Sequence, residues 1–458
     1  MNVSLCLFTA DLRVHDNPVL RAALKGADQV VPLFVLDDGV GAAGFAVPNR
    51  RAFLADCLAD LDAGLRQRGG RLVLRAGPVV DEVCSVVTRT GARRVHLAAG
   101  TSAYARRREE RLRAALTAQG CALQVHDAVT TVLPPGAQVP YGRDHFAVFT
   151  PYFRRWQDTP VRDVVAAPRA VPVPASVAEE AGSVPLPVRA EVAEVSPGLA
   201  PGGERYGRGR CATWLRGSLA GYADQGAELA ADATSRLSPH LHFGTLSPLE
   251  LVHRARESGG PGAEAFVRQL AWRDFHHQVL AARPDAARAD YRPRHDHWRH
   301  DEREAQAWRD GRTGYPVVDA AMRQLRYEGW LPGRARMLVA SFLTKTLYLD
   351  WRIGARHFLD LLVDGDVANN QLNWQWMAGT GTDTRPNRVL NPVTQAKRHD
   401  PHGDYVRRWL PELAGLRAPA IHHPWTLPPS ERARYDYPDP LVELSEGLER
   451  FHRARATP

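Results

Sequence analysis

At 458 residues, 44% hydrophobic and 24% charged, the chain is too long for one small domain and has the composition of a globular protein with two or three packed units. A formal net charge of +8 fits an anionic partner as well as a merely basic, solvated surface; only Lys25, Lys345 and Lys397 of the 59 basic residues are lysine, and arginine suits bidentate phosphate contacts. The cysteines (Cys6, Cys57, Cys84, Cys121, Cys211) are dispersed and contain no Cys-x-x-Cys, which speaks against a disulfide framework or an iron–sulfur cluster and for free thiols in a reducing compartment.

In chain order, short apolar runs of strand length occur at residues 3–8, 30–36, 71–75, 94–98 and 122–125. No basic segment precedes the first run, so no signal peptide is expected. Helical patterns lie between the runs, clearest over residues 51–68, where Phe53, Leu54, Cys57, Leu58, Leu61 and Leu65 share one face. This alternation predicts a doubly wound parallel sheet with right-handed crossovers over residues 1–130. The turn after the first run lacks Gly-x-Gly-x-x-Gly, which disfavours the usual dinucleotide site.

Residues 131–205 form a predicted connector. Eight prolines fall between Pro160 and Pro201, and no aromatic residue occurs between Trp156 and Tyr206, so an extended segment lying on the surface is expected. Residues 206–458 read as an all-helical domain. Ser247-Pro248-Leu249-Glu250 is a capping box with proline at the first helical position, and Val318, Met322 and Leu325 keep helical spacing after Pro316. The longest apolar run, from Met337 to Leu349, is interrupted by Thr344, Lys345 and Thr346; it is too short to span a membrane and reads as a buried helix. A soluble, cytoplasmic monomer is expected. His295, His297 and His300 lack a carboxylate or cysteine partner motif, so they read as a solvated basic loop and no metal is expected.

The densest cluster of polar and aromatic side chains is Asp364-Gly365-Asp366-Val367-Ala368-Asn369-Asn370-Gln371-Leu372-Asn373-Trp374-Gln375-Trp376, followed by alternating Gly-Thr. Five further segments accompany it: Phe8 to Asn17, Thr234-Ser235-Arg236-Leu237-Ser238-Pro239, Trp272-Arg273-Asp274-Phe275, Thr313 to Arg323, and Asp350-Trp351-Arg352. Together, and in this order, they resemble the DNA photolyase/cryptochrome family, most closely its class I cyclobutane pyrimidine dimer photolyases. The resemblance implies an N-terminal Rossmann-like antenna domain and a C-terminal helical domain holding FAD.

The resemblance assigns Tyr222, Thr234, Ser235, Arg236, Leu237 and Ser238 to the flavin phosphates and ribityl chain; hydroxyls and amides at a helix start suit a pyrophosphate. It places Asp364, Gly365 and Asp366 along the flavin and adenine, pairs Asp364 with Arg336, and sets Asn370 facing flavin N5, where a neutral amide hydrogen-bonds without adding fixed charge. Trp374, Trp351 and Trp298 match the tryptophan chain that carries electrons between flavin and surface. Trp272 and Trp376 match the aromatic walls of a cavity for a flipped-out dimer, and Gln269, Arg273, Arg334 and Gln395 match positions near the lesion. Gln269 stands where a glutamate is usual, Gly333 replaces an asparagine and Gly226 an arginine; Gly333 and Met337 occupy the two histidine positions of the relatives that repair (6-4) photoproducts.

A second, antenna chromophore is also implied. Tyr104 and Ala105 replace the asparagine and glutamate of methenyltetrahydrofolate-binding relatives, whereas the segment from Pro48 to Leu54 resembles 8-hydroxy-5-deazaflavin binders; an empty, scaffolding domain is the alternative. The implied activity is light-driven repair of pyrimidine dimers in DNA by electron transfer from reduced FAD, that of a deoxyribodipyrimidine photo-lyase. The departures at Gln269, Gly333 and Gly226 keep a second reading open, a cryptochrome-type blue-light photoreceptor without repair.

Overall fold

The computed structural model describes residues 1–175 and 183–456, so residues 176–182 of the expected connector lie outside the described residues. The chain forms two compact units. One comprises Met1–Val195, Ala200–Ala220 and Ser235–Pro284; the other comprises Ser196–Leu199, Gly221–Thr234 and Asp285–Pro458.

The first unit is built on five parallel strands, β1 (Val3–Leu7), β2 (Gln29–Asp37), β3 (Val73–Gly77), β4 (Arg94–Ala98) and β5 (Ala122–His126), in the order β3-β2-β1-β4-β5. β1 is central, and all of its residues are buried; a strand covered on both faces reads as a continuous apolar run. The order reverses beside β1, which sets a crevice at the carboxyl ends of β1 and β4. The helix Pro48–Arg66 starts earlier than its apolar face suggests, because Pro48 at the first helical position supplies a preset φ and needs no donor.

The turn after β1 is a buried polar hub. Arg13, 1% exposed, donates to the carbonyls of Asp16, Gly244 and Val129, and Asn17 caps the helix Pro18–Lys25 while donating to the carbonyls of Asp11 and Arg13. Glu204 accepts from the amides of Val14 and His15. Asp274, inside the Trp-Arg-Asp-Phe segment, accepts from the amides of Val132 and Leu133 and from the Trp156 indole; burial pushes its pKa up to about 6. The segment expected as a connector contains a helix, Phe149–Asp158, and among its described residues it is not confined to the surface. Val171 is fully buried against Gly70, and the chain there bonds Arg68 and Val30 through backbone groups. An extended strip with free amides is held by such pairing even without aromatic residues.

The second unit is helical; among its described residues the only strand-like pairing is a parallel bridge between Arg299 and Leu349. Its core gathers Trp308, Val318, Met322, Leu325, Trp351 and Phe358. The helix Pro316–Glu328 has proline in its first turn and ends on Gly329 in the left-handed region. The helix Gly333–Ser341 runs into a π-helical turn, Phe342–Thr346, and the three polar residues that interrupt the apolar run are buried there. Thr344 returns its hydroxyl to the Ala340 carbonyl. Lys345 donates to the carbonyls of Pro386 and Arg388 at 2.9 and 2.6 Å, and burial lowers its pKa to about 8. Among the described residues no helix is long and apolar enough to cross a membrane.

Candidate functional site

In the helical unit the helix Val367–Ala378 carries Asn370, one of the expected flavin-contacting side chains. Asp366 is its N-cap, accepting from the Asn369 amide at 2.7 Å, so this carboxylate orders the helix start as well as standing in the loop. Asp364, with a side chain 4% exposed, pairs with Arg336 at 2.7 Å, and Arg336 also donates to the Leu331 carbonyl. Only one Asp364 oxygen is used; Oδ1 is buried without a partner. Thr234 Oγ1 is likewise buried and unpartnered, and burial raises the Tyr222 pKa. Asn370 is buried and donates to the Ala355 carbonyl at 3.0 Å; Gly365 is buried between the two aspartates. A ligand rich in hydroxyls and imide N–H groups is what Asp364 Oδ1 and Thr234 Oγ1 lack, so these residues fit FAD.

The remaining flavin positions belong to the first unit. Ser235 accepts from Arg210 through its carbonyl, and Arg236 sits at φ +53°, a strained conformation for a side chain of that size. Leu237 is 1% exposed, so its side chain is core and only its backbone is available to a ligand. Ser238 opens a helix of five residues, Ser238–His242, too short for the strong N-terminal dipole that a pyrophosphate reading favours.

Trp374 and Trp351 are buried and Trp298 half-buried. Trp374 stands on Gly354, where an added Cβ would lie 2.1 Å from its ring, and Gly354 lies in the helix Trp351–Leu361. Trp308 meets Trp374 edge-on at 5.9 Å. The Trp351 indole donates to Asp290 at 2.8 Å, and the Arg352 guanidinium lies 4.6 Å over its ring. Trp298 contacts Tyr348, with centroids 5.0 Å apart.

The positions expected near a lesion fall in both units. On the helix Gly260–Ala282, Gln269 is exposed, while Trp272 is half-buried and already stacked on Phe149 at 3.6 Å. Arg273, expected at DNA, donates to the Thr130 carbonyl at 2.5 Å and the Leu241 carbonyl at 3.3 Å. In the helical unit Trp376 is half-buried, Gln395 Oε1 and Arg334 Nε are buried without partners, and burial plus the charges of Arg398 and Arg388 lowers the Arg334 pKa. That concentration of positive charge suits a phosphate or other anion. A Cβ at Gly333 would meet nothing within 4 Å. Among the described residues, no group of three His, Cys, Asp or Glu is placed to hold a metal ion.

At the crevice of the parallel sheet, Tyr104 donates to Asp37 and lies against Gly39, and Arg108 Nε is buried without a partner. Asn49 and Arg50, at the start of the helix Pro48–Arg66, are buried.

The chain matches the family described as DNA photolyase over residues 4–175 and that described as the FAD binding domain of DNA photolyase over residues 266–457. It is 67% identical to a deoxyribodipyrimidine photo-lyase of Streptomyces griseus, with 99% of each chain covered. It is similar in structure to a bacterial class III photolyase from Agrobacterium tumefaciens, with a TM-score of 0.92 and 31% identity over 99% of this chain and 97% of that one. It is also similar to a Synechocystis cryptochrome, with a TM-score of 0.89 and 28% identity over 99% of each chain.

Proposed function

Because this chain belongs to the DNA photolyase/cryptochrome family, we propose that it is a deoxyribodipyrimidine photo-lyase, repairing cyclobutane pyrimidine dimers in DNA under light. The observation that carries the reading onto this chain's own residues is the Arg336–Asp364 pair, with the Asp364 carboxylate buried and its Oδ1 left open, in a chain 67% identical to a named photo-lyase. Reduced FAD, when bound, supplies a light-excited one-electron donor to the dimer, and the electron returns once the two cyclobutane bonds have opened. This chemistry requires no protein nucleophile or general base; the protein binds, orients and keeps water out.

In the helical unit Asp364 and Thr234 accept from or donate to the cofactor's hydroxyl and N–H groups, Arg336 orients Asp364, and Tyr222 supports the phosphate end. Asp366 contributes by fixing the helix that presents Asn370 and Trp374. Trp374, Trp351 and Trp298 form the path by which the cofactor is reduced. In the helical unit Trp376 offers apolar surface to an extruded dimer, while Arg334 and Gln395, with unsatisfied polar atoms, hold the DNA around it. Arg273 acts on DNA only indirectly, by bracing the helix that carries Gln269 and Trp272. For the antenna, the crevice at Asp37, Tyr104 and Arg108, with its unpaired guanidinium nitrogen, takes a planar anionic chromophore of the 8-hydroxy-5-deazaflavin type.

Lesion choice tests the proposal. Matched oligonucleotides carrying a cyclobutane dimer, a (6-4) photoproduct or no damage are illuminated with the reduced holoprotein. Repair of the cyclobutane dimer is expected; repair of the (6-4) lesion alone overturns the substrate, and no preference among the three points to a photoreceptor.

A further inference from the structure

The helical unit carries an open cleft of about 870 Å³, lined by none of the residues assigned above to flavin, electron path or DNA. Its volume is that of a small-molecule site. Two of its lining residues are aromatic, Tyr327 in the last turn of the helix Pro316–Glu328 and Trp409 at the end of the helix Asp404–Trp409, with ring centroids 5.7 Å apart at 60°. The Trp409 indole nitrogen, which can only donate, is buried without a partner. A donor that has lost its water and gained no acceptor is rare in a folded chain and calls for a partner. Tyr327 is half-exposed but fixed in place: the Gly198 amide donates to its carbonyl at 2.7 Å, and a Cβ at Gly198 would lie 2.6 Å from its ring. The aromatic side of the cleft is therefore preformed.

The charged residues of the cleft divide into those that are paired and those that are not. Arg323 is held by Glu412 through two bonds, of 3.0 and 2.5 Å. Arg326 donates to Asp310 at 2.9 Å and to the Arg309 carbonyl at 3.3 Å. These contacts fix two planar guanidinium groups, whose faces stack on aromatic rings. Arg312, just past the left-handed Gly311 that ends the helix Glu302–Asp310, and Asp436 also line the cleft; both are exposed, and among the described residues neither side chain has a partner. Three arginines stand with three carboxylates, so the lining has no net charge and does not attract a polyanion. What it leaves open is one N–H donor, one cation and one anion.

We propose that this cleft is a binding site for a small planar aromatic acid, with its ring against Trp409 and Tyr327, its carboxylate on Arg312 and an acceptor atom on Trp409 Nε1. Each part of the ligand answers an observation. The aromatic pair and the braced guanidinium faces favour a flat ring over an aliphatic chain. The unpartnered indole N–H requires an acceptor, which a plain hydrocarbon lacks and which a carboxylate or ring heteroatom supplies. Arg312 gives a single negative charge its counterpart, and the unpaired Asp436 repels a second one, so a monoanion is preferred to a phosphomonoester. The site requires neither flavin nor DNA, and it stands or falls independently of the repair proposed above.

Fluorine NMR of FAD-loaded protein labelled with 5-fluorotryptophan and kept in the dark tests the site, because bound FAD keeps the probes out of the flavin pocket. The probes are 2-naphthoate, its neutral isostere 2-naphthamide and adenosine monophosphate. Trp409→Phe removes one resonance and so identifies Trp409; should that variant not fold, Tyr327→Phe keeps the ring and marks the neighbouring indole by shifting it. The Trp409 resonance should move saturably with 2-naphthoate. The amide should bind about fivefold more weakly, the most that a solvent-exposed ion pair contributes, and adenosine monophosphate more weakly than the naphthoate. Arg312→Gln, a change at an exposed side chain, should reduce naphthoate affinity to that of the amide. Three results each overturn the inference: no saturable shift at Trp409, even if other tryptophans respond; equal affinity for acid and amide; or a preference for the acid that survives Arg312→Gln. Tighter binding of adenosine monophosphate than of naphthoate overturns the monoanionic acid and assigns the cleft to a nucleotide.

Discussion

Replacing Arg336 with methionine isolates what the buried ion pair does for the cofactor. The substitution keeps the length of the stem but removes two bonds, Nη2 to Asp364 Oδ2 at 2.7 Å and Nε to the Leu331 carbonyl at 2.9 Å. Asp364, whose Oδ1 is already unpartnered, would be left with both oxygens unsatisfied in a site where its side chain is 4% exposed. Breaking a fully buried pair by removing one partner costs about 3–5 kcal/mol. Arg336 is 28% exposed, so water replaces part of what it supplied, and we expect a penalty of about 2 kcal/mol. If the loss falls on the bound state, FAD affinity drops by roughly 30-fold. Titrating flavin-stripped protein with FAD and following fluorescence quenching measures it. A double-mutant cycle with Asp364→Asn identifies the source: once Asp364 is neutral, removing Arg336 should cost little, giving a coupling of about 2 kcal/mol. Additivity within about 0.5 kcal/mol would mean that the two residues act independently, and would refute the pairing as the element that shapes the site.

Other outcomes follow from the same geometry. Trp374→Phe should slow light-driven reduction of the oxidised cofactor, and chemical pre-reduction should restore its repair; loss that survives pre-reduction would assign Trp374 a structural or substrate role. Gly333→Asn should be accepted sterically, since a Cβ there meets nothing within 4 Å, and one added hydrogen bond worth about 0.5–1.5 kcal/mol should tighten dimer-containing DNA by roughly twofold to tenfold in a competition assay against undamaged duplex. Asp319 accepts from the Thr313 amide and hydroxyl and from the Gly314 amide, yet burial pushes its pKa up to about 6. With the folded pKa above the unfolded value, the folded state binds the extra proton, so this group's contribution falls as pH rises from about 4 to about 6 and is level above that, a change of about 3 kcal/mol. Urea unfolding of the protein and of Asp319→Asn across that window should show the difference as a loss of slope; parallel curves would place the pKa near its ordinary value.

The inner strands were legible because a sheet covered on both faces demands unbroken apolar runs; the run at 94–98 coincides with β4. The helix after Pro316 and the Ser247 cap were legible because caps and proline act locally. What joins Ala200–Ala220 and Ser235–Pro284 to the sheet was not: Glu204 binding the Val14 amide, and Asp274 binding the Val132 amide, are buried bonds spanning 190 and 142 residues, with no local signature. In the site, Asp364 with Arg336 was readable from the family resemblance, and the pair is formed. For Arg273 a motif position says nothing about where a long side chain turns, and its guanidinium bonds the Thr130 and Leu241 carbonyls. Leu237 was placed by its neighbours in the segment, although its own apolar side chain belongs to the core.

The central claim, light-driven repair on a flavin held by this helical unit, is tested most directly by counting restored pyrimidines. Reduced, FAD-loaded protein is mixed with an oligonucleotide carrying one cyclobutane thymine dimer, and the strand is digested and analysed after blue light or darkness. Monomeric thymines should appear in the light and only in the light, and should vanish when the flavin is stripped and return when FAD is restored. Equal recovery in darkness, recovery without flavin, or intact dimers under light with the reduced cofactor bound would contradict the account.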